Sequence, residues 1–498
     1  MSVERALPAL ALAVLVSAPL SASDLVSRLD QLLAAPQLAR AYAGIEVMRL
    51  SDGHVLYAHN AGRLFTPASN MKLFTTALAL MKLGPDYRLT TQICASAPVD
   101  AEGVLTGDLE LIGGGDPSMS GRVYPYTKAA SREAYTFTAI DELADQLIAH
   151  GLKRVEGNVV GDDTRYVWEP QPGPWSSEDA TQEYGAPVSA LILDDNTFEL
   201  TLRPGAQEGD LARVTLTPAF ENFVIDNRVT TGERGERKIE FYRNASGREL
   251  HIWGVIGKRD AGFTEALAIG DPALYAAKVL RDALLQRGVE IRGPAVARHH
   301  FPDDRPQNDA VASVPQPGVV LAERQSPPLI ELLQVVDKVS QNLHAEILLR
   351  EVAAASGHTG SRAAGLAIMD EFLAGIGISK ADRQFTDGSG LSRSTLVSPA
   401  AIVKLLAYMN ASKYSGQWLA LLPIGGEDGT LASRFAGHPE AHAIRAKTGT
   451  LDHVRALSGY ADTRAHGRVA FSILANDFEE PSGPVRAIID QLALALLQ

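Results

Sequence analysis

The sequence predicts an α/β fold in which one domain is split by a long insertion. Strand-like runs occur near both ends of the chain, at about 44–57 and 443–476, and strands at both ends commonly complete a single sheet. Between them, from about residue 87 to 315, short alternating runs separated by Gly, Asp, Asn and Pro are typical of β-rich structure. The length of 498 residues also exceeds one ordinary core, so two to four domains are expected.

Individual helices and strands follow from the same patterns in chain order. Helical spacing covers 24–38, a hairpin is predicted around residues 51–53, and Pro67 opens a helix that Gly84-Pro85 ends. One helix, at 271–287, is predicted inside the β-rich region, and the proline-rich stretch 302–328 is predicted to be a linker. The remaining predicted elements are helices at 329–355, 361–376 and 398–409, strands at 443–447, 456–462 and 468–476, and a closing helix from Pro484.

The first 23 residues are predicted to be a secretory signal peptide. Arg5 precedes an apolar run over 6–20, and the small residues 21–23 come directly before Asp24. Cleavage is expected after residue 23, with an uncleaved membrane anchor as the alternative. No later segment has the roughly eighteen uninterrupted apolar residues that a spanning helix needs, so membrane association is expected to be peripheral at most. The body of the chain is therefore expected to be exported to the periplasm or cell envelope.

Charge and cysteine content exclude several classes of protein. The formal net charge is −13 and no long basic run is present, which argues against nucleic acid as a partner. The single cysteine, Cys94, cannot form an intramolecular disulfide. It lies in an alternating run, so a small buried residue is expected there rather than a nucleophile. His438 and His442 are interpreted as surface-loop residues and not as metal ligands.

The first candidate site is Ser69-Asn70-Met71-Lys72, just after Pro67 at a predicted helix start. The spacing of three places Ser69 and Lys72 on one face of the helix. A lysine whose pKa is lowered by burial and by a neighbouring positive charge can act as a general base on the serine. The helix N-terminus also presents backbone N–H groups to a developing oxyanion. Alone, this tetrapeptide is more typical of an N-cap serine followed by a solvated lysine.

The second candidate site is Ser340-Gln341-Asn342, within a stretch that is predicted to be helical from 329 onward. A hydroxyl between two lysines can relay a proton to a leaving nitrogen, which is the role expected of Ser340. The carboxamide of Asn342 can hold an amide group of a substrate. The alternative interpretation of the motif alone is an ordinary helix surface or a local turn.

The third candidate site is Lys447-Thr448-Gly449-Thr450, at the end of a predicted strand. Gly449 would let a ligand approach the backbone closely, and Lys447 and Thr448 would bind a carboxylate. The backbone N–H of Thr450, together with that of Ser69, would supply the two donors of an oxyanion hole. Alone, the motif is compatible with a capped strand end.

Together and in this order, the three motifs are typical of penicillin-binding proteins and serine β-lactamases. The chain more specifically resembles the type-4 penicillin-binding proteins, peptidase family S13, over nearly its whole mature length. The interval between Lys72 and Ser340 is far longer than a simple β-lactamase domain holds and matches the large insertion of that family. Further segments resemble the same family, at 113–117, 184–191, 387–393 and 422–426.

The resemblance implies a specific architecture. The fold would be a penicillin-binding/β-lactamase-like transpeptidase domain of the α+β type, with an antiparallel sheet flanked by helices and interrupted by inserted β-rich domains. The catalytic domain would comprise 24–86 and 316–498. The inserted domain II would comprise 87–176 and 268–315, and the inserted domain III 177–267.

The resemblance also implies an activity. The protein would be a serine D-alanyl-D-alanine carboxypeptidase, and also a D,D-endopeptidase that cleaves peptidoglycan cross-bridges, with an acyl-enzyme on Ser69. Peptidoglycan stem peptides would be the substrates, β-lactam antibiotics would be covalent inhibitors, and no metal or organic cofactor is implied. The alternatives are a serine β-lactamase or esterase and a non-catalytic peptidoglycan-binding protein. A homodimer and the residue at the third stem-peptide position stay open.

Two further residues are candidate substrate contacts. Arg393 ends the loop 387–393, which carries a carboxylate, hydroxyls and a guanidinium and is therefore equipped to hold a peptide. In some members of the resembled family, an aspartate at the end of an inserted-domain strand recognises the amino group of diaminopimelate, and Asp163 is the nearest match. The alternative for Asp163 is a turn aspartate that caps its own backbone.

Overall fold

The computed structural model describes residues 22–95, 97–128, 136–218, 223–233, 235, 237–243, 247–302, 318–479 and 481–498. All but the last two residues of the predicted signal peptide, and residues 303–317 of the predicted linker, lie outside the described residues. Within these ranges, the helices are too short or too polar to cross a bilayer.

The helices of the described residues are α1 (Ala22–Leu33), α2 (Met71–Leu83), α3 (Thr138–Ala149), α4 (Pro272–Gln286), α5 (Leu329–Lys338), α6 (Asn342–Ala355), α7 (Arg362–Gly375), α8 (Pro399–Ala411), α9 (Ser415–Leu421) and α10 (Gly483–Ala495). The strands are β1 (Tyr42–Arg49), β2 (Val55–His59), β3 (Thr90–Ala95), β4 (Val104–Leu105), β5 (Leu109–Ile112), β6 (Arg154–Val155), β7 (Val159–Val167), β8 (Thr197–Arg203), β9 (Arg213–Thr217), β10 (Val224–Gly232), β11 (Arg237–Tyr242), β12 (Glu249–Gly257), β13 (Phe263–Ala268), β14 (Glu290–Ile291), β15 (Ala295–His300), β16 (Val319–Gln325), β17 (Arg383–Gln384), β18 (Leu396–Val397), β19 (Ile444–Leu451), β20 (Val454–Thr463) and β21 (Gly467–Asn476).

The two ends of the chain form one five-stranded antiparallel sheet, in the order β19-β20-β21-β1-β2. Side chains of the central β21 alternate between two cores, as a strand covered on both faces requires. Ala470 and Leu474 face a layer that includes α2 and α8, whereas Phe471 and Ile473 face α1 and α10. Each large apolar side chain buried there stabilises the fold by about 1.5–3 kcal/mol. The predicted fold class, an α/β protein with an antiparallel sheet flanked by helices, is confirmed.

The insertion between α2 and α5 is built around a second five-stranded sheet. Its order is β15-β7-β5-β3-β16, with β7 parallel to both of its neighbours. The strands between α3 and α4 include two three-stranded sheets, β13-β8-β9 and β10-β12-β11. Leu343 and Ile347 of α6 pack against Val188 and Ile192 of the insertion in a small separate core. The insertion is therefore packed directly against the helix that begins at Asn342.

Three features differ from the sequence-based expectations. The β-rich region contains a second helix, α3, whose buried residues Ile140, Leu143 and Leu147 follow one helical face. The predicted linker contains β16, which pairs with β3 and so joins the insertion sheet, beyond the boundary predicted at residue 315. The predicted helical stretch over 329–355 is interrupted between α5 and α6, where Ser340 adopts a φ of 69°.

Candidate active site

The fold brings the three sequence motifs into one cleft. Ser69, Ser340, Asn342, Thr448 and Thr450 all line a cavity of about 720 Å³. Two buried lysines lie beneath its floor, and each contacts one serine. Lys72 Nζ lies 2.9 Å from Ser69 Oγ, and Lys447 Nζ lies 2.8 Å from Ser340 Oγ.

The backbone around Ser69 is held from two sides. The Asn70 carboxamide donates to the carbonyl oxygen of Lys447 at 3.0 Å, which ties the start of α2 to β19. Ala68 has a φ of 48°, which is unusual for a residue with a Cβ. Gly390 packs against its carbonyl so closely that a Cβ at Gly390 would lie 1.9 Å from Ala68 O. The position of Ser69 thus depends on a loop more than 300 residues later in the chain.

Ser340 lies outside a helix because the chain breaks there. Its φ of 69° ends α5, and the side chain of Gln341 then caps α6 by accepting from Leu343 N at 2.8 Å. Lys338, although only two residues before Ser340, donates to Leu422 O at 2.8 Å and to Asp428 Oδ2 at 2.6 Å. The lysine that contacts the Ser340 hydroxyl is therefore Lys447 and not its neighbour in sequence.

Hydrogen bonding around Lys72 can accommodate a neutral amine. Nζ contacts Asn342 Oδ1 at 2.6 Å and the carbonyl oxygen of Ser389 at 2.8 Å, and both oxygens can only accept. A neutral amine gives its two N–H groups to these oxygens, so its lone pair is left for the Ser69 hydroxyl. Burial, followed by the charge of Lys447, lowers the pKa of Lys72 well below its ordinary value. Lys72 therefore has the geometry of a general base.

Lys447 and Thr448 present polar groups along the edge of the sheet. Burial lowers the pKa of Lys447 to about 8, although the charge of Asp337 acts in the opposite direction. The Thr448 hydroxyl bonds that of Thr430 at 2.8 Å, and both residues line the cleft. An ammonium and paired hydroxyls at one end of a cleft are suited to bind a carboxylate.

The strand that carries Lys447 also supplies backbone donors. The N–H of Ala446 bonds Pro423 O on the outer edge of β19, and backbone groups alternate in direction along an antiparallel strand. The N–H groups of Thr448 and Thr450 therefore point to that same edge, where both residues line the cleft. A Cβ at Gly449 would lie 2.5 Å from Pro67 O, so the glycine permits the close approach of β19 to the Ser69 segment.

Of the two further candidate substrate contacts, Arg393 lies in the cleft and Asp163 does not. Arg393 lines the cleft with its side chain 57% exposed, and it donates to Asp452 O at 3.1 Å. Asp163 does not reach the cleft: it lies inside β7, is 2% exposed, and contacts Ser189 Oγ and His299 Nδ1, each at 2.8 Å. The structure therefore does not bring Asp163 to the cleft, because the Gly-Asp-Asp segment continues the buried strand and does not end it.

Similarity to known proteins extends over nearly the whole chain. A sequence profile of the family described as D-Ala-D-Ala carboxypeptidase 3 (S13) matches residues 25–496. The chain belongs to this family. The D-alanyl-D-alanine carboxypeptidase of Actinomadura sp. (strain R39) is 32% identical over 488 residues, which cover 96% of this chain and 85% of that protein. The resemblance inferred from the motifs is confirmed, and the protein is a D-Ala-D-Ala carboxypeptidase of the S13 family.

Solved structures show the same fold. The crystal structure of penicillin binding protein 4 (dacB) from Haemophilus influenzae has a TM-score of 0.80 at 23% identity, covering 96% of this chain and 100% of that chain. A crystal structure of the same protein complexed with a β-lactam has a TM-score of 0.74 at 24% identity, covering 95% and 97%. The S13 carboxypeptidase thus shares its whole architecture, insertion included, with these proteins.

The insertion supplies a wall of the S13 cleft that sequence reasoning missed. Trp175, Glu178, Asp179 and Tyr184 all line the cavity, and the carbonyl oxygen of Tyr184 accepts from Asn342 Nδ2 at 2.8 Å. The available signal was the segment 184–191, which resembles the family but was given no role in the site. The insertion therefore helps to orient the carboxamide that contacts Lys72.

A buried carboxylate positions the loop that contacts Lys72. Glu346, one turn after Asn342 on α6, accepts from the N–H groups of Gly388 and Ser389 at 2.8 and 2.9 Å. The carbonyl of Ser389 then accepts from Lys72. The loop 387–393 of the S13 fold, expected to hold a peptide, therefore also serves to hold the candidate base.

Proposed function

We propose that this S13 carboxypeptidase cleaves the D-alanyl-D-alanine end of peptidoglycan stem peptides through an acyl-enzyme on Ser69, with Lys72 as the base. The observation that carries the proposal is the contact set of Lys72. Its two N–H groups are taken by oxygens that only accept, its amine is buried, and its third contact is Ser69 Oγ at 2.9 Å. Such a lysine can accept the hydroxyl proton as Ser69 attacks a carbonyl carbon.

The remaining residues support the later steps of this reaction. Attack by Ser69 Oγ places negative charge on the carbonyl oxygen, and the backbone N–H groups of Ser69 and Thr450 would stabilise it. As the peptide C–N bond breaks, the leaving amine takes a proton from the Ser340 hydroxyl, which is replenished by Lys447 at 2.8 Å. The proton that Lys72 took from Ser69 returns to Lys447, so that Lys72 is neutral again. Water then attacks the ester and gives a proton to Lys72, and that proton passes to Ser69 Oγ as the ester bond breaks and Ser69 is regenerated.

The carboxylate of the terminal D-alanine would bind at the edge of β19. The hydroxyl of Thr448 lies at that end of the cleft, with the buried Lys447 beneath it, and Gly449 lets β19 approach the Ser69 segment closely. Arg393 lies on the opposite loop with an exposed guanidinium, which suits it to contact a second carboxylate of the stem peptide.

D,D-endopeptidase cleavage of cross-bridges, covalent inhibition by β-lactams and export to the periplasm are parts of the same proposal. The bond cut in a cross-bridge has the same D-alanyl carbonyl, and the cleft is an open groove bounded by both domains. A β-lactam-bound neighbour with the same fold supports the inhibitor class. Nucleic acid is not proposed as a partner, membrane contact would be peripheral at most, and a homodimer stays open.

We also propose that catalysis belongs to residues 24–86 and to the chain beyond β16, while the insertion shapes substrate access. The proposed inserted domain II covers 87–176 and 268–315, together with β16, and domain III covers 177–267. Because β16 pairs with β3 of the insertion sheet, we extend domain II beyond residue 315 to include β16.

Digestion of purified muropeptides, followed by mass spectrometry, tests the proposal. Loss of a terminal D-alanine and opening of a cross-bridge give different products, so one digestion measures each activity. Fluorescent penicillin should label wild-type protein covalently, and S69A should show neither labelling nor digestion. Rapid turnover of penicillin without D-alanine release would instead favour a β-lactamase, and absence of labelling on folded wild-type protein would favour a non-catalytic binding protein.

A further inference from the structure

A carboxyl group without a strong hydrogen-bond partner is buried beneath the two lysines. Asp337, one turn before Ser340 on α5, has no exposed surface. Among the described residues, neither of its carboxylate oxygens receives a hydrogen bond of ordinary geometry. The neighbouring hydroxyl of Thr76 gives its hydrogen bond to the carbonyl oxygen of Lys72 at 2.7 Å. A buried carboxylate in this state is costly unless a nearby charge compensates it.

The other acids of the site are, by contrast, fully engaged. Glu346 accepts from two backbone N–H groups and from Arg350 at 3.1 Å. Asp387 accepts from Trp175 Nε1 at 3.1 Å and from Ser392 N at 2.8 Å, and further from Thr395. These two carboxylates hold the loop 387–393 in place. Asp337 accepts no such hydrogen bonds from any described loop, so the cost of burying its carboxylate must be offset by nearby positive charge.

Three lysines provide that charge, and one of them, Lys447, has no other carboxylate of the described part of the chain acting on it. Lys447 on β19, Lys72 on α2 and Lys338 on α5 all act on Asp337 electrostatically. Lys338 forms an ion pair with Asp428, and the charges of Asp387 and Glu346 raise the pKa of Lys72. Among the described residues, Lys447 donates to the Ser340 hydroxyl and to the Thr448 carbonyl. Asp337 is the carboxyl that raises the pKa of Lys447 against the effect of burial.

The charge on Lys447 has a consequence for Lys72. Burial raises the pKa of Asp337 to about 7, with Lys447 as the largest opposing influence. Above that pH the carboxylate and the Lys447 ammonium stabilise each other. The Lys447 charge in turn lowers the pKa of Lys72, and this effect exceeds the direct opposing effect of Asp337. Asp337 therefore acts on Lys72 mainly through Lys447.

We propose that Asp337 is a positioning residue that keeps Lys447 protonated, so that Lys447 serves Ser340 as an ammonium while Lys72 stays a neutral base. The inference deepens the proposed function and rests on it. Asp337 contacts neither substrate nor a reacting atom. Asp337 lies three residues before Ser340 in the sequence, and it acts through Lys447.

The pH dependence of acylation tests this inference. For wild-type protein, the second-order rate of labelling by fluorescent penicillin should fall as pH rises through about 8, because Lys447 then loses its proton. D337N keeps the shape of the side chain but removes its charge, so this basic limb should move to lower pH by about one unit. E331Q removes a carboxylate from the same helix, away from the lysines, and should leave the limb in place. D337E, which retains the carboxylate, should restore it.

A uniform loss of rate at every pH in D337N, with the limb unmoved, would show a merely structural role and overturn the inference. If D337N does not fold, wild-type protein and K447M labelled with carboxyl-¹³C aspartate provide a second test by NMR. One buried carboxyl should titrate near neutrality in wild type and at higher pH in K447M, and an unmoved titration would also overturn the inference. Failure of wild-type protein to react with penicillin would count against the proposed function itself.

Discussion

At the scale of single residues, the site depends on contacts that no motif contains. Lys72 is held by Asn342, and by a loop carbonyl at Ser389, as well as by its own neighbour Ser69. These partners come from three separate parts of the chain. A tetrapeptide in the sequence predicts the chemistry of its residues but not the packing that makes a lysine neutral.

Replacing Gly390 by alanine should slow acylation strongly while every motif residue stays intact. The new Cβ would lie 1.9 Å from Ala68 O, so the backbone that carries Ser69 must move. A displacement of about 1 Å at a reacting group costs on the order of 100-fold in rate. We expect a loss of that size in the rate of labelling by fluorescent penicillin.

Gly357→Ala is the matched control for this variant. Gly357 has a φ of 81°, close to the 78° of Gly390, but a Cβ there would meet nothing within 4 Å. The positive φ alone should cost each variant about 1–2 kcal/mol of stability, and the contact with Ala68 O adds to this in the Gly390 variant. Equal labelling rates for the two variants would contradict a positional role for Gly390.

At the scale of elements, most helices and strands could be predicted because their signals are local. The hairpin of β1 and β2, the helix α4 with its Asp271 cap, and the strands β19 to β21 all lie within a few residues of the predicted positions. The helix α3 had a readable apolar face and was missed because its neighbours are strands. The break at Ser340 could not be predicted, because a positive φ in a serine is imposed by tertiary contacts.

Site residues divide in the same way. Motif residues on local elements, such as Lys447 on β19, were predicted with their neighbours. The wall that contains Trp175 and Tyr184 comes from an irregular segment whose course depends on packing against α6. Asp163 resembles a turn residue because its sequence is Gly-Asp-Asp, but β7 is paired on both sides up to Asp162 and continues as a strand to Val167.

The element β15 should be held to β7 by a pH-dependent ion pair. His299 contacts Asp163 at 2.8 Å and Asp271 at 3.4 Å, and these acids raise its pKa to about 9 despite burial. A raised histidine pKa gives stability that is fully present below about pH 6.5 and is lost as pH rises through 9. In the wild-type protein the free energy of unfolding should therefore fall between about pH 6.5 and 9. In H299Q, this fall should be smaller, as measured by urea denaturation at each pH.

H300Q provides the comparison, since His300 lies next in the same strand and is only half-buried. It should keep the wild-type pH dependence. An identical dependence in H299Q and H300Q would show that the pair with Asp163 contributes nothing in this range.

At the scale of the whole molecule, one buried carboxylate joins the insertion to the catalytic helices. Glu351 on α6 accepts from Arg165 at 2.6 and 2.9 Å, from Tyr166 at 2.8 Å and from Tyr87 at 2.5 Å. Its side chain has no exposed surface. An amide at this position would turn an N–H group toward donors that need an acceptor.

E351Q should consequently lower the free energy of unfolding by about 3 kcal/mol. The measurement is chemical denaturation followed by intrinsic fluorescence. E371Q makes the same change at an exposed position on α7 and should be neutral. If E351Q were as stable as E371Q, the contact between insertion and catalytic helices would not depend on this carboxylate.

The pairing of β1 with β21 also constrains how the protein is made. The strand at residues 42–49 cannot find its neighbour until residues 467–476 have been synthesised. At about 5–20 residues per second, that interval is roughly 20–80 s on the ribosome. During this time the insertion can already fold around its own sheet, whereas Ser69 has no Lys447 beside it. The proposed nucleophile would therefore become reactive only after residues 467–476 have been made, and penicillin labelling would report the end of biosynthesis as well as the presence of the enzyme.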